Sequence, residues 1–554
     1  MQVFFLRQGG NPHRGEVYYN HGQAVLPLRK RCTGVEEISS YLAFVGILLL
    51  AGVCSNKLAS RFNMPVLLMF LAAGMAAGVY GSTHFSLKAQ MHGTVINTLG
   101  TVAMYFILFA GGLGTKYRAI KPVLGRGLVL ATAGVFLTAF FLGAGGYVIY
   151  LLFARGESFS LSFSWWLLLA SLISSTDAAA TFSILRGNGV NLSGGLQPLL
   201  ELESGSNDPM AALLTIVMIQ LVTGKESFSL LQIPFVAYKI VVGAGVGLLV
   251  GWAGTWFFNR HYGYEGLYYV LGVALVLICA GVAEHILANG FLAVYVCGVV
   301  MGNNRYNYRS GLERFNEGVA WLMQVLLFTS LGALIRPREL LGTQVLVPGI
   351  LMSATLMFLA RPAAVCLCLS GSVFSIRERL LISWAGLRGA APIVLATFPL
   401  AAGVVHSSYM FNMIFFMVIG SILIQGRTLM PLARKLKLTR PFAARSRPPL
   451  ELETMSGVDY RLHEFEVTPS CVLAGVTLAE AKFPQGALVA LIRRNGGFIP
   501  PGGGTRIEIG DGLLIIGTPE KLKVLVEHFF PDSDYSEDDE LEIFKKHPKR
   551  SATK

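Results

Sequence analysis

The stretch that decides the fold is residues 203–209, Glu-Ser-Gly-Ser-Asn-Asp-Pro, in the middle of the apolar run 196–222. A run of this length can cross a lipid bilayer as a helix. Its centre nevertheless carries two carboxylates and a proline, and a charge at the bilayer centre costs at least about 2.5 kcal/mol. The run is therefore predicted to be a membrane helix whose polar centre has a function.

The composition of the whole chain agrees with a protein built from membrane helices. Of its 554 residues, 53% are hydrophobic and 14% are charged, whereas soluble domains carry about 25% charged residues. The 62 glycines suit close packing between membrane helices. This composition excludes an ordinary soluble enzyme and a disordered protein. The seven cysteines form no Cys-x-x-Cys or Cys/His cluster, so we expect neither a disulfide framework nor a zinc site.

Apolar spans along the chain predict an all-α polytopic membrane protein with about 13 transmembrane helices. The spans fall near residues 38–56, 64–80, 93–114, 127–153, 163–185, 196–222, 232–258, 266–283, 286–302, 318–335, 346–370, 380–400 and 407–426. Lys and Arg are concentrated in the loops on one side, so the positive-inside rule puts the N-terminus outside and the C-terminal region in the cytoplasm. We assign the net charge of +13 to loops facing the lipid bilayer of the inner membrane, and we expect no nucleic acid partner.

The predicted organisation has five parts. They are an N-terminal extension (1–37), a transmembrane domain (38–426), a basic linker (427–460), a small C-terminal domain (461–530) and a charged disordered tail (531–554). The extension is basic just before the first span, which conflicts with an outside location. We therefore expect that it does not belong to the natural chain, whose start we place near Val35.

Five ionisable residues lie deep in the predicted spans: Asp177, Glu203, Asp208, Arg361 and Arg388. Opposite charges at equal depth neutralise one another, so Glu203 is expected to pair with Arg388 and to fix helix packing. Arg361 stands before a proline and is expected to distort its helix, without a role in transport. The two aspartates could also be structural, but their surroundings favour a binding site.

Those surroundings are rich in oxygen atoms. Pro209 leaves the carbonyl of Gly205 without its helical donor, and Ser and Thr beside Asp177 favour local unwinding. Irregular backbone at membrane depth is tolerated where it lines a cavity. Hard monovalent cations bind such oxygens, and a buried carboxylate also takes up a proton readily. One site can then hold a proton or a cation, but not both, which is the physical basis of exchange.

Two spans carry signatures of interrupted helices. Ser-Thr-Asp occupies 175–177 in the fifth span, and Gly-Ala-Ala-Pro occupies 389–392 in the twelfth. The two spans are seven apart and so cross in opposite directions. This arrangement predicts inverted repeats with two discontinuous crossing helices.

These motifs resemble those of the NhaP-type monovalent cation:proton antiporters. Residues 176–177 resemble the Thr-Asp of that family's fifth helix, and residues 203–208 match the Glu-Ser-x-x-Asn-Asp of its sixth helix. Residues 105–113 resemble a Phe-x-x-Gly-Leu stretch on an early helix, and Arg388-Gly389 resembles the arginine of helix twelve that pairs with the helix-six glutamate. The resemblance covers residues 38–426.

The resemblance implies a cation- and proton-binding site and a homodimer of thirteen-helix protomers. It makes Asp208 the exchanging carboxylate, with Asp177, Ser204 and the carbonyl of Thr176 as further ligands of a monovalent cation. It implies no cofactor besides the transported ions.

Three further residues would support this site. The resemblance implies that Glu203, Asn207 and Arg388 hold the site together. Related electrogenic exchangers carry a second aspartate where Asn207 stands. Asparagine therefore implies electroneutral, one-for-one exchange.

The small C-terminal domain (461–530) alternates short apolar strands with glycine-rich turns, which predicts a small cytosolic α+β fold. Residues 471–530, with Gly-Asp-Gly-Leu-Leu-Ile-Ile-Gly at 510–517, resemble the C-terminal ligand-sensing domain of TrkA-type potassium regulators (TrkA-C). The resemblance implies that the domain dimerises and senses an unidentified small regulatory ligand, or that it only dimerises. A Gly-x-Gly-x-x-Gly nucleotide motif is absent from its sequence.

The sequence distinguishes several functions. A K⁺/H⁺ antiporter is preferred because the TrkA-like domain points to potassium, and an Na⁺(Li⁺)/H⁺ antiporter with the same site is the alternative. A potassium channel would need a carbonyl-lined filter such as Thr-Val-Gly-Tyr-Gly, which the sequence lacks. A membrane-embedded enzyme would need metal ligands or a nucleophile motif at membrane depth, and the sequence offers neither. The chain is therefore predicted to be a secondary transporter and not an enzyme.

Overall fold

A large helical region and a small α+β region make up the computed structural model of the chain. The structure describes residues 46–47, 49–55, 66–84, 93–153, 161–187, 190–192, 195–224, 232–335, 337–340, 342–441, 461–468, 471–481, 483–484, 486–494 and 497–530. The predicted extension 1–37 and the predicted charged tail 531–554 lie outside the described residues.

Helices account for nearly all of the described chain up to residue 435. They are α1 (Val66–His84), α2 (Gly93–Gly114), α3 (Tyr117–Ile120), α4 (Leu124–Ala131), α5 (Ala133–Phe153), α6 (Phe163–Leu172), α7 (Ala178–Gly187), α8 (Leu196–Val222), α9 (Gln232–Phe258), α10 (Glu265–His285), α11 (Gly290–Gly302), α12 (Arg309–Leu334), α13 (Pro337–Leu340), α14 (Thr343–Thr355), α15 (Arg361–Cys368), α16 (Ile376–Trp384), α17 (Ala390–Leu395), α18 (Thr397–Ala401) and α19 (Ser407–Lys435). A 3₁₀ turn (Lys121–Val123) precedes α4, and a π-helical turn (Leu356–Ala360) joins α14 to α15.

Several of these helices can cross a membrane. Within the described residues, six helical stretches are long and apolar enough by themselves. They are Tyr117–Leu152, Leu196–Val222, Pro234–Phe258, Glu265–His285, Thr343–Cys368 and Ser407–Lys435. The shorter apolar helices include one half of each interrupted span, Phe163–Leu172 and Ala390–Ala401. The structure thus confirms an all-α polytopic membrane region, while the number thirteen stays a prediction.

Glycines let neighbouring helices touch backbone to backbone. A Cβ atom placed on Gly112 of α2 would lie 2.5 Å from the carbonyl oxygen of Tyr295 in α11. Reciprocally, a Cβ on Gly298 would lie 2.5 Å from the carbonyl oxygen of Phe109. Neither position can accept a side chain, so the high glycine content serves close helix packing, as expected for membrane helices.

The last membrane helix is longer than the sequence predicted. The linker was predicted to begin at 427, but α19 continues to Lys435. Leu429, Met430 and Ala433 are buried in an apolar cluster, and this burial holds the basic segment in the helix. The prediction placed the boundary too early because Arg427 ended the apolar run in sequence, although its helical neighbours remain packed.

A two-stranded antiparallel sheet joins the end of the membrane region to the connection between α7 and α8. Strand β1 (Val190–Leu192) pairs with β2 (Thr439–Pro441), with Asn191 opposite Arg440. Leu192 is buried in the same apolar cluster as the end of α19. The beginning of the predicted linker is therefore paired with the membrane region.

The C-terminal region is an α+β fold, as predicted. Its antiparallel sheet has the order β3-β6-β4-β5 and is accompanied by one helix. The elements are β3 (Arg461–Glu466), β4 (Ala487–Arg494), β5 (Gly497–Ile499), β6 (Gly512–Gly517) and α20 (Pro519–Phe529). Leu513 and Ile515 of β6 are buried under Leu522 and Leu525 of α20, which supplies the core.

An ion pair fixes the turn before β6. Arg494 Nε and Nη2 donate to the two carboxylate oxygens of Asp511, each at 2.8 Å. Burial works against ionisation of Asp511, but the hydrogen bonds from Arg494 and from the backbone of Glu508 prevail and leave the pKa of this carboxyl below its usual value. The pair therefore stabilises the domain at neutral pH, and its contribution is lost as the pH falls through the depressed pKa.

Candidate ion-binding site

The first interrupted helix breaks where Ser and Thr replace apolar residues. Helix α6 ends at Leu172, and the backbone is not helical from 174 to 177 before α7 begins at Ala178. Asp177 Oδ1 accepts a hydrogen bond of 3.1 Å from the N–H of Ala180, as an N-capping carboxylate does. The local preference of these side chains for caps thus starts α7 in the middle of the span.

The second interrupted helix meets the first at its break. Helix α16 ends at Trp384, and α17 begins at Ala390. The N–H of Asp177 donates to the carbonyl of Leu387 at 2.7 Å, so the two non-helical segments are hydrogen-bonded to each other. The first break includes the predicted Ser-Thr-Asp at 175–177, whereas the second lies at 385–389 and so shares only Gly389 with the predicted Gly-Ala-Ala-Pro, because residues 390–392 already belong to α17. The structure brings the two breaks together.

Glycine permits this close approach. A Cβ atom on Gly389 would collide with the carboxyl group of Asp177, and one on Gly386 would lie 3.1 Å from Cγ2 of Thr176. The segment between α16 and α17 therefore needs glycine at 389, whereas a methyl group at 386 would require a small shift of its neighbours. The sequence signal Gly-x-x-Gly at 386–389 is explained by the crossing.

Helix α8 is the third element of the site, after the two interrupted helices, and it contributes polar side chains. Ser204 Oγ donates to the carbonyl oxygen of Thr176 at 2.9 Å. Asn207 Nδ2 donates to Oγ1 of Thr176 at 2.5 Å, and Asn207 is 1% exposed. Thr176 is thus held from both sides by residues of the motif in α8.

Asp208 is the carboxylate at the centre of this arrangement. Its Oδ1 atom is buried and has no hydrogen-bond partner among the described residues. Its polar neighbours are the carboxylate of Asp177 and the hydroxyl of Ser175. A buried acceptor without a donor is costly, so this oxygen suits a proton or a cation that binds and leaves.

The arginines differ from the prediction. Glu203 was expected to pair with Arg388. In the structure Nη2 of Arg361 donates instead to Oε1 of Glu203, and the two side chains form a buried ion pair. Arg388 Nη1 donates instead to the carbonyls of Ser174 and Ser175, at 2.8 and 2.5 Å. Arg388 therefore satisfies carbonyls of the non-helical segment that follows α6, and its positive charge lies near the negative end of the dipole of that helix.

Arg361 is the supporting residue that sequence reasoning missed. It had been assigned only to helix distortion because a proline follows it. It is 2% exposed, and it follows the π-helical turn that joins α14 to α15. The signal that could have revealed it is its charge, since an arginine at membrane depth needs an opposite charge nearby.

The ionisable side chains of the site sum to one negative charge. Asp177, Glu203 and Asp208 contribute three negative charges when ionised, and Arg361 and Arg388 contribute two positive charges. Arginine stays protonated in proteins. The cluster is therefore balanced by a single proton or a single monovalent cation.

A crossing of two interrupted helices beside a buried carboxylate defines a membrane transporter of small ions. Residues 45–435 match the sodium/hydrogen exchanger transmembrane family, and residues 462–529 match the TrkA-C domain. The chain belongs to the sodium/hydrogen exchanger family, and so it is a secondary transporter and not an enzyme. Both predicted resemblances are confirmed.

Individual relatives agree with this assignment. The chain is 33% identical over 522 residues to the K(+)/H(+) antiporter NhaP2 of Shewanella oneidensis, covering 92% of this chain and 86% of the relative. It is 32% identical over 501 residues to the K(+)/H(+) antiporter NhaP2 of Shewanella baltica, covering 89% and 83%. These relatives span both regions of the chain.

A solved structure shares the fold. The sodium proton antiporter MjNhaP1 from Methanocaldococcus jannaschii superposes with a TM-score of 0.59 at 22% identity. The match covers 72% of this chain and 99% of that protein. The fold of the helical region is therefore that of a known antiporter.

Proposed function

We propose that the protein exchanges K⁺ for H⁺ across the cytoplasmic membrane, by competition of the two ions for Asp208. The observation that carries this proposal is the buried Oδ1 of Asp208, which lacks a partner among the described residues in a cluster short of one positive charge. Binding a proton or a cation, but never both, couples their movements in opposite directions.

The ligands of the cation would come from three elements. Asp208 and Ser204 lie on α8, and Asp177 and the carbonyl of Thr176 lie at the break before α7. Ser204 donates its hydroxyl hydrogen to the carbonyl oxygen of Thr176, which places these two proposed ligands within 2.9 Å of each other. Glu203, Asn207 and Arg388 would support the site, together with Arg361.

Electroneutral exchange follows from the charge count. Asn207 donates an amide hydrogen to Thr176 and adds no second exchangeable carboxylate to α8. The single missing positive charge of the site is then supplied either by one proton or by one monovalent cation. A full cycle moves one of each in opposite directions and so moves no net charge.

Potassium is preferred over sodium because both the names of the NhaP2 relatives and the TrkA-C domain favour it. Sodium exchange through the same ligands is the second candidate, favoured by the name of the MjNhaP1 structure. Basic loops support an outside N-terminus and a cytoplasmic C-terminal domain. That domain would regulate exchange by sensing a small ligand, and two protomers would form a homodimer.

Flux measurements test the proposal. Purified protein in proteoliposomes should collapse a pH gradient on addition of K⁺, and Asp208→Asn should abolish this flux while eluting as the same folded species. Glu265→Gln, which changes an exposed carboxylate at the start of α10, is the control and should keep the flux. Persisting flux in Asp208→Asn would contradict the site. Flux with Na⁺ alone would contradict the choice of potassium.

A further inference from the structure

We propose that the hydroxyl of Thr215 is a second coordination position on the ion path, beyond Asp208 along α8. The ligand would be the transported monovalent cation, still carrying part of its hydration shell. This inference rests on the proposed function and extends it, because Thr215 lies outside the sequence motif that defines the site.

Thr215 and Asp208 share one face of α8. They are seven residues apart, which is close to two full turns of an α-helix. Their separation along the helix axis is about 10 Å. A cation at Thr215 would therefore occupy a separate position and would not be a ligand shared with Asp208.

The hydroxyl of Thr215 is buried without a partner. Thr215 is fully buried, and its Oγ1 has no hydrogen-bond partner in the part of the chain that the structure describes. Other buried hydroxyls in membrane helices donate to the carbonyl four residues before them: Thr138 and Thr329 do so at 2.6 Å. A buried unsatisfied hydroxyl destabilises the fold, so we infer that its partner arrives with the transported ion.

Small residues separate the two positions. Ala211 and Ala212 occupy the intervening positions of this helix face, and both are buried. Their methyl groups leave more room between Asp208 and Thr215 than any larger side chain would. Alanine also suits close helix packing, so small residues here do not by themselves indicate an ion path. The evidence for the second position is the unpartnered hydroxyl of Thr215.

The interrupted helices line the same side of the crossing. Helix α6 precedes the first break, α17 follows the second, and both pack against α8. Since the two broken spans run in opposite directions, α6 and α17 lie on one side of the crossing. The half of α8 that follows Asp208 shares an apolar cluster with α6, so a cation that leaves Asp208 toward this side would travel along the part of α8 that bears Thr215.

Removal of the hydroxyl alone tests the inference. Thr215→Val keeps the shape of the side chain, and we expect the apparent KM for the cation to rise about tenfold, as for loss of one hydrogen bond to a charged group. The melting temperature should stay the same or rise, because no hydrogen bond within the protein is lost. Thr215→Ser should restore the KM of the wild type.

The control is Thr329→Val, which removes a buried hydroxyl that already has a partner on α12. It should leave the KM unchanged. An unchanged KM in Thr215→Val would overturn the inference, and so would a Thr215→Val protein that fails to fold, because the hydroxyl would then have a structural partner. Asp208→Asn is measured in parallel. If Asp208→Asn abolishes the flux while Thr215→Val keeps the KM of the wild type, only the role of Thr215 is refuted and the proposed function stands.

Discussion

At the scale of single residues, the two buried arginines bind different partners in the site. Arg361 neutralises the side chain of Glu203, and Arg388 satisfies carbonyls at the break after α6. Both guanidinium groups are almost fully buried, at 2% and 1% exposure. Each therefore stabilises a different part of the site, and their removal should have different consequences.

Arg361→Ala should lower the free energy of unfolding by about 3–5 kcal/mol, because it leaves Glu203 buried without a counter-ion. Combining Arg361→Met with Glu203→Gln should recover most of this loss, since no charge is then left unpaired. Thermal melting of the detergent-purified protein measures both. Arg388→Ala keeps the pair of Glu203 and Arg361. The division would be contradicted if Arg388→Ala and Arg361→Ala lowered the free energy of unfolding equally and the double variant Arg361→Met/Glu203→Gln recovered none of the loss.

The residue types of the site were predictable from the sequence, but the pairing was not. Charge at membrane depth identified Asp177, Glu203 and Asp208, and the hydroxyls around them indicated a cation site. Depth along a span, however, does not give the direction in which a side chain leaves its helix. Arg361 and Arg388 were both deep enough to reach Glu203, and only the three-dimensional packing distinguishes them.

At the scale of elements, the site depends on how closely the two breaks approach. The Asp177 N–H bonds to the Leu387 carbonyl, and Thr181 Oγ1 donates to the carbonyl of Ala385 at 2.8 Å. The first bond joins the two interrupted spans backbone to backbone, and the second joins a side-chain hydroxyl to a backbone carbonyl. The crossing is therefore sensitive to added volume and much less so to the identity of neighbouring apolar residues.

Gly389→Ala should reduce exchange at least tenfold, because the new methyl group would displace the carboxyl of Asp177. The rate of cation-driven proton flux measures the effect. Gly111→Ala is the control, since a Cβ there meets nothing within 4 Å. Normal flux in Gly389→Ala would mean that the position of Asp177 at the crossing is not required.

Local sequence signals gave the breaks but not their contact. Ser and Thr before Asp177 and glycine at 389 disrupt helices through their own chemistry, so the positions of the breaks could be predicted to within a few residues. Which breaks cross is decided by packing between spans distant in sequence. The extension of α19 past 426 was missed for the same reason, because tertiary burial overrode a local change in composition.

At the scale of the whole molecule, the membrane region and the C-terminal domain have separate cores. Apolar clusters in the helical region contain no residue of the α+β domain among those described. Ion exchange should therefore survive without the domain, and its regulation should not.

Two truncations test this division. A chain ending at 441 keeps β2, and we expect it to exchange ions as the full chain does. A chain ending at 437 also removes β2, and we expect slower exchange because β1 loses its partner. Flux rates of the two truncated proteins across pH provide the comparison. Equal rates would mean that the two-stranded sheet does not contribute.

The position of that sheet has a mechanical consequence. In chain order, β2 stands between α19 and the C-terminal domain, while β1 stands between α7, which follows Asp177, and α8, which carries Asp208. A displacement of β2 by the domain would therefore act on the connection between these two helices as well as on α19. A ligand that repositions the domain could change the rate at which the two aspartates move relative to each other without touching either of them.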